Sequence, residues 1–198
     1  MVDKNSNSSC CSCNSGCCET VQDNTVDKRS IEIDFLFLDL SVCEPCQGTE
    51  SILDEAIGDI AGILKSTGVE VVVNKVNVKN EELAIRFKFV SSPTIRINGH
   101  DIQFEIKEGS CQTCSDLSGE ETDCRIWMYQ GKEYNVPPKA MIIEAILKEV
   151  YGSDGGNNIV EQEYIIPENL KRFYSGMNSR KQETKSSCCG SSGSKGCC

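Results

Sequence analysis

Between residues 30 and 40 the chain reads SIEIDFLFLDL: apolar and polar positions alternate, then give way to an unbroken apolar run. A run with no polar face left for solvent predicts a strand covered on both sides, at the centre of a sheet. The period then changes. Ile52, Leu53, Ala56, Ile57, Ile60, Ala61 and Leu64 recur at helical spacing, and Gly68 fits a helix C-cap. VEVVVNKVNV (69–78) predicts a second strand, and NEELAIRF (80–87) a short helix with Asn80 as its N-cap. In SSPTIRINGHDIQFEI (91–106), Asn98-Gly99 predicts a hairpin between two short strands. Residues 107–124, KEGSCQTCSDLSGEETDC, hold almost no apolar side chain and are expected to form an inserted loop. RIWMYQGKEYNV predicts a further strand and turn, with Trp127 and Tyr129 alternating as core or sheet surface. Pro137-Pro138 then opens a helix whose face is Met141, Ile142, Ala145, Ile146 and Val150.

This pattern divides the chain into three parts. Residues 1–28 are rich in Ser, Asn and Cys without apolar periodicity, and are expected to be a disordered tail. Residues 29–152 carry the order β-α-β-α-β-β-α, an α/β domain. Residues 153–198 form an extension, with a helix expected over 167–181 and a flexible, low-complexity end, SSCCGSSGSKGCC.

Charge narrows the partners. The formal net charge of −10 is concentrated on residues 29–151, which hold 12 basic and 21 acidic side chains. Such a surface repels phosphate backbones, so no nucleic-acid partner is expected, while neutral or cationic ligands approach freely. No apolar run is long enough to span a membrane. The N-terminal residues lack the basic and apolar regions of a secretory signal, and the expected compartment is the cytoplasm. There, thiols stay reduced, so 14 cysteines at short spacings point to metal binding or thiol chemistry rather than a disulfide scaffold.

Three groups of cysteines carry candidate chemistry. Cys43-Glu44-Pro45-Cys46 lies at a strand–helix junction, a spacing used by redox disulfides, soft-metal clamps and zinc knuckles. A thiol at a helix N-terminus meets unpaired N–H groups and the positive end of the dipole, which favour thiolate. Pro45 stiffens the turn without losing a donor there. The second group is Cys111, Cys114 and Cys124, three thiols able to close on one soft ion. His100 would complete a Cys₃His zinc set, although a lone histidine beside a hairpin turn is usually a surface residue; a loop disulfide or free thiols are the alternatives. The third group is the adjacent pairs Cys10-Cys11, Cys17-Cys18, Cys188-Cys189 and Cys197-Cys198, poor disulfide partners but good chelators of trivalent arsenic or mercury. A phosphate-binding glycine loop, a Cys-x5-Arg anion cradle and an HExxH motif are all absent.

With Cys43-x-x-Cys46 after the first strand and Ser92-Pro93-Thr94 before the third, residues 30–151 resemble the thioredoxin superfamily. SSPTIRING, the cysteine loop, CRIWMYQGKEY and PENLKRF are similar, more narrowly, to a small Cys-rich prokaryotic thioredoxin-like family of unknown function associated with arsenic and mercury resistance. The CCGSSGSKGCC end looks like the tails of arsenical-resistance proteins, among them the thioredoxin-like arsenic metallochaperone. The resemblance implies a thioredoxin-like fold, a central mixed β-sheet flanked by helices. It makes Cys43 an exposed nucleophile, Cys46 the second thiol, and Pro93 a cis proline facing both. Two positions depart from thioredoxins: Val42 replaces the Trp before the first Cys, and Phe37 replaces the buried acid, with Asp39 the nearest substitute.

The expected function is therefore binding or transfer of soft metal or metalloid ions, trivalent arsenic or mercury, with zinc as a structural alternative. An efflux or redox protein would be the partner. The rival is a thiol-disulfide oxidoreductase using Cys43 and Cys46, and the third reading is a zinc-stabilised interaction domain. Because the hairpin returns toward the cis-proline end, the loop after residue 106 should emerge near Cys43.

Overall fold

The computed structural model describes residues 29–152 and 163–186. Its centre is a mixed four-stranded sheet in the order β2-β1-β3-β4, formed by β1 (Arg29–Phe37), β2 (Val69–Asn77), β3 (Thr94–Ile97) and β4 (His100–Asp101). β1 runs parallel to β2 from Arg29↔Val69 to Phe37↔Asn77, and antiparallel to β3 through Ile33↔Ile97 and Leu36↔Thr94. Its alternation buries Ile31, Ile33 and Phe35 on one face, and its final run buries Leu36, Phe37 and Leu38 as well. That is the environment a continuous apolar run requires.

Parallel pairing of β1 and β2 needs a long crossover, which α1 (Glu44–Ser66) supplies. It buries Cys46, Thr49, Leu53, Ala56, Ile60 and Leu64, and ends at Thr67 followed by Gly68 in the left-handed region, φ 74°. Asn80 caps α2 (Glu81–Arg86) by accepting the Leu83 N–H at 3.0 Å. Asn98 and Gly99 both have positive φ and turn β3 into β4. α4 (Lys139–Tyr151) lies against α1 and β3, burying Met141, Ile142 and Ile146. Lys139 pairs with Asp59 of α1 at 2.8 Å.

The segment 107–124, expected as a loop, is instead ordered structure. β5 (Lys107–Ser110) pairs antiparallel with β6 (Asp123–Tyr129), which pairs with β7 (Lys132–Tyr134) to give a second, three-stranded sheet. Between β5 and β6 stands α3 (Gln112–Ser118), closed by Gly119 at φ 80°. Its buried side is made of Cys114 and Ser118, with Cys111 at its N-cap. Hydrophobic patterning misses such an element, because it buries thiols and hydroxyls rather than hydrocarbon. Hydrogen bonds take over the anchoring: Ser118 Oγ lies 3.1 Å from Thr122 Oγ1, and Ser115 Oγ accepts the Thr122 N–H at 3.0 Å.

α5 (Glu168–Ser186) packs on α3 and α2 through buried Leu170, Phe173 and Tyr174. The Tyr174 hydroxyl donates to the Val78 carbonyl at 2.9 Å. No helix among the described residues is long and apolar enough to cross a membrane.

Candidate metal centre

The sulfurs of Cys43, Cys111, Cys114 and Cys124 all lie within 4.8 Å of one another, and all four residues are buried. Each arrives by a different local route. Asp39 closes β1 by accepting the N–H groups of Ser41 and Val42, each at 2.8 Å, and the Ser41 hydroxyl. That Asx-type turn delivers Cys43 to the N-cap of α1, where its carbonyl accepts the Gln47 N–H at 3.0 Å and its side chain caps nothing. Cys111 likewise sits at the N-cap of α3 without capping it, its sulfur 3.4 Å from the Thr113 hydroxyl, and its N–H donates to the Thr122 carbonyl at 2.9 Å. Cys114 follows one turn later. Cys124 lies opposite Gly109 in the β5–β6 ladder, 3.6 Å from the Cys114 sulfur.

Ser92 joins the two sides. Its carbonyl accepts the Arg125 N–H at 2.7 Å, fixing β6 to the segment before β3, while its hydroxyl accepts the Leu38 N–H at 3.1 Å. The same hydroxyl lies 3.4 Å from the Cys46 sulfur. The Ser92–Pro93 peptide bond is cis. Asn169 of α5 grips the residue before Cys124 from outside, accepting the Asp123 N–H and donating to its carbonyl, both at 2.9 Å.

The sulfurs share charge unequally. The Cys111, Cys114, Cys124 and Cys46 thiols around it hold Cys43 far below the ordinary thiol range, against the effect of burial. Cys111 is lowered to about 6 by Cys114 and Cys124. Cys114 is raised, chiefly by Cys111, and Cys124 is raised by Cys111, Cys114 and Cys43, with burial adding to both. Cys46 is raised by its contact with Cys43 and by burial. A closely packed set of thiols thus carries its negative charge on Cys43 and Cys111, and the remainder stay protonated, because like charges in a small site oppose one another.

Four thiolates are a complete donor set for a tetrahedral ion. A Zn–S bond of about 2.3 Å implies sulfur–sulfur edges of roughly 3.8 Å. The Cys114–Cys124 separation of 3.6 Å and the 4.8 Å spread of the group are compatible with closure on one ion. The matching family model covers residues 31–146, more than half of the chain and all of these cysteines. The chain belongs to the family of domains of unknown function DUF2703. No curated protein matches the chain, and no solved structure does.

In this DUF2703 domain the cysteine segment does reach Cys43, but the grouping differs from the one expected. Cys43 stands with the loop cysteines as the fourth sulfur, and His100, exposed on β4, is not part of the group. Nor is Cys43 an exposed nucleophile: it has no solvent-accessible surface, and neither has Cys46. Cys46 stands outside the four-sulfur group, with its sulfur 3.1 Å from that of Cys43. Pro93 follows Ser92, the residue that contacts Cys46. Asp39 is a turn residue. Cys10, Cys11, Cys17, Cys18, Cys188, Cys189, Cys197 and Cys198 lie outside the described residues. Ser92 enters the sequence reading only as the residue before Pro93, with no role of its own.

Proposed function

We propose that this DUF2703 domain binds one soft metal or metalloid ion through Cys43, Cys111, Cys114 and Cys124, and serves in handling such ions. The observation that carries the reading is the convergence of four buried sulfurs within 4.8 Å from three separate stretches of chain. Buried free thiols pack as small hydrophobes and gain nothing from mutual contact that would require four of them together. Thiolate is the preferred ligand of soft ions, and a fourth sulfur extends the fit from pyramidal trivalent arsenic, which needs three, to tetrahedral zinc and to mercury. The resemblance to arsenic- and mercury-resistance proteins, with four adjacent cysteine pairs outside the domain, favours an ion that is cargo. A reducing compartment would keep all these thiols available.

The test uses the full-length chain with its nine tail cysteines changed to serine, so that only the five domain cysteines remain. Native mass spectrometry with zinc, arsenite or mercuric ion should show one ion per chain. Each of C43S, C111S, C114S and C124S should abolish tight zinc binding. Arsenite, needing three sulfurs, should survive one of these substitutions, and H100A should bind like the parent. Failure of all three ions to bind would overturn the proposal. Loss of the folded state on chelation would instead assign the ion a structural role.

The 3.1 Å contact between Cys43 and Cys46 supports a second reading, a thiol-disulfide oxidoreductase. Reduction of insulin by the metal-free chain, at a rate that C46S abolishes, would favour it over ion handling.

A further inference from the structure

The sulfur of Cys43 belongs to two pairings at once. It is the single member of the four-sulfur group supplied by α1, and it touches a fifth sulfur, Cys46, that is outside the group. Both pairings need the same lone pairs, so they exclude each other: Cys43 cannot be a full thiolate ligand and half of a disulfide. The Cys46 sulfur at 3.1 Å needs to close by only about 1 Å to reach the length of an S–S bond, near 2.05 Å. It is steadied on its other side by the Ser92 hydroxyl at 3.4 Å, which is itself fixed by the Leu38 N–H. Cys114 and Cys124 are farther apart, at 3.6 Å.

We infer that Cys46 is a redox release device for the ion: oxidation joins Cys43 to Cys46 and withdraws one of the four ligands. This rests on the ion-binding reading above. Since neither sulfur has accessible surface, a bulky disulfide is a poor reactant, and the fitting oxidant is a small hydroperoxide. Hydrogen peroxide converts the Cys46 thiol to a sulfenic acid and leaves as one water. The Cys43 sulfur then gives up its bond to the ion and displaces hydroxide from the Cys46 sulfur, forming the S–S bond. The hydroxide takes a proton from solvent and becomes the second water. Two electrons pass from the two sulfurs to the peroxide, and the ion is left on Cys111, Cys114 and Cys124. A reductant that is likewise small, such as dithiothreitol, returns two electrons and two protons, and restores the site.

The experiment again uses the full-length chain with serine at the nine tail positions, loaded with zinc and washed. Zinc is measured before and after hydrogen peroxide with a chromophoric chelator, alongside a tryptic map. Cleavage after Arg29 and Lys65 places Cys43 and Cys46 alone in one peptide, and cleavage after Lys107 and Arg125 places Cys111, Cys114 and Cys124 in another. The expected result is release of about one zinc per disulfide formed, with peptide 30–65 lighter by two hydrogens and the metal retaken after dithiothreitol. C46S and C46A should load zinc normally and retain it under the same peroxide dose. Zinc retained by the parent, or released equally by both Cys46 variants, would overturn the switch and leave the ion site standing. A parent that loads no zinc, arsenite or mercuric ion would overturn the ion site and the switch with it.

Discussion

At the scale of single residues, the group is defined by how many protons four neighbouring sulfurs can lose. Cys43 is held low by the thiols around it and Cys111 falls to about 6, so both are thiolates at neutral pH. Cys114 and Cys124 are raised by their neighbours and stay protonated. A divalent ion supplies the positive charge that lets all four ionise. Binding at pH 7–8 should therefore expel about two protons, taken from Cys114 and Cys124. Protons compete with the ion, so affinity rises with pH, by about two decades per pH unit above the Cys111 titration, and more steeply below about pH 6, where Cys111 is protonated as well. Calorimetry in buffers of different ionisation enthalpy measures the proton count directly. Release of no protons would mean that the sulfurs do not serve as thiolate ligands.

At the scale of elements, the core-bearing pieces were legible in sequence and the site-bearing piece was not. β1, α1 and α4 declare themselves because their buried positions are hydrocarbon at periods of 2 or 3.6, from Phe35 through Leu53 and Ile60 to Ile142 and Ile146. α3 gave no such sign. Its buried positions are Cys114 and Ser118, and the surface covering it belongs to α5, some 50 residues later in the chain. Spacing alone did bring Cys111, Cys114 and Cys124 together as candidates, but assigning Cys43 to a different role hid the fourth sulfur. The closeness of α3 and α5 depends on Gly176, where an added Cβ would stand 2.3 Å from the Ser118 carbonyl oxygen. No rotamer relieves a clash with backbone, so G176A must push α5 outward, at a cost of about 1–3 kcal/mol. Since Asn169 of the same helix holds Asp123 beside Cys124, the variant should melt lower and also bind zinc more weakly. A variant with unchanged melting temperature would show that α5 does not brace the site.

At the scale of the molecule, the four sulfurs lie on the seam between two sheets. Cys43 follows β1 of the mixed sheet, whereas Cys111 and Cys114 come from the N-cap and first turn of α3, and Cys124 from β6, in the other layer. Three side chains close that seam. Arg125 of β6 reaches Asp101 of β4 with two hydrogen bonds of 2.7 Å, and its guanidinium lies 5.1 Å from the Trp127 ring. Gln103 accepts the Met128 N–H at 2.7 Å and donates to the Ile126 carbonyl at 3.2 Å. Arg125 is fully buried and Asp101 only a fifth exposed, so removing the carboxylate strands a cation away from water. D101A should cost about 3 kcal/mol, toward the lower end for a broken buried pair because Asp101 keeps some solvent contact. An ion bound across the same seam would tie the layers a second time, through bonds that exist only in the folded state, and add stability that grows with the logarithm of the free ion concentration relative to its dissociation constant. Zinc should therefore raise the melting temperature of the parent and recover much of the loss in D101A, while C43S, which leaves all remaining ligands on one side of the seam, should lose the rescue. Equal rescue of D101A with and without C43S would place the ion wholly within the second layer and separate it from α1.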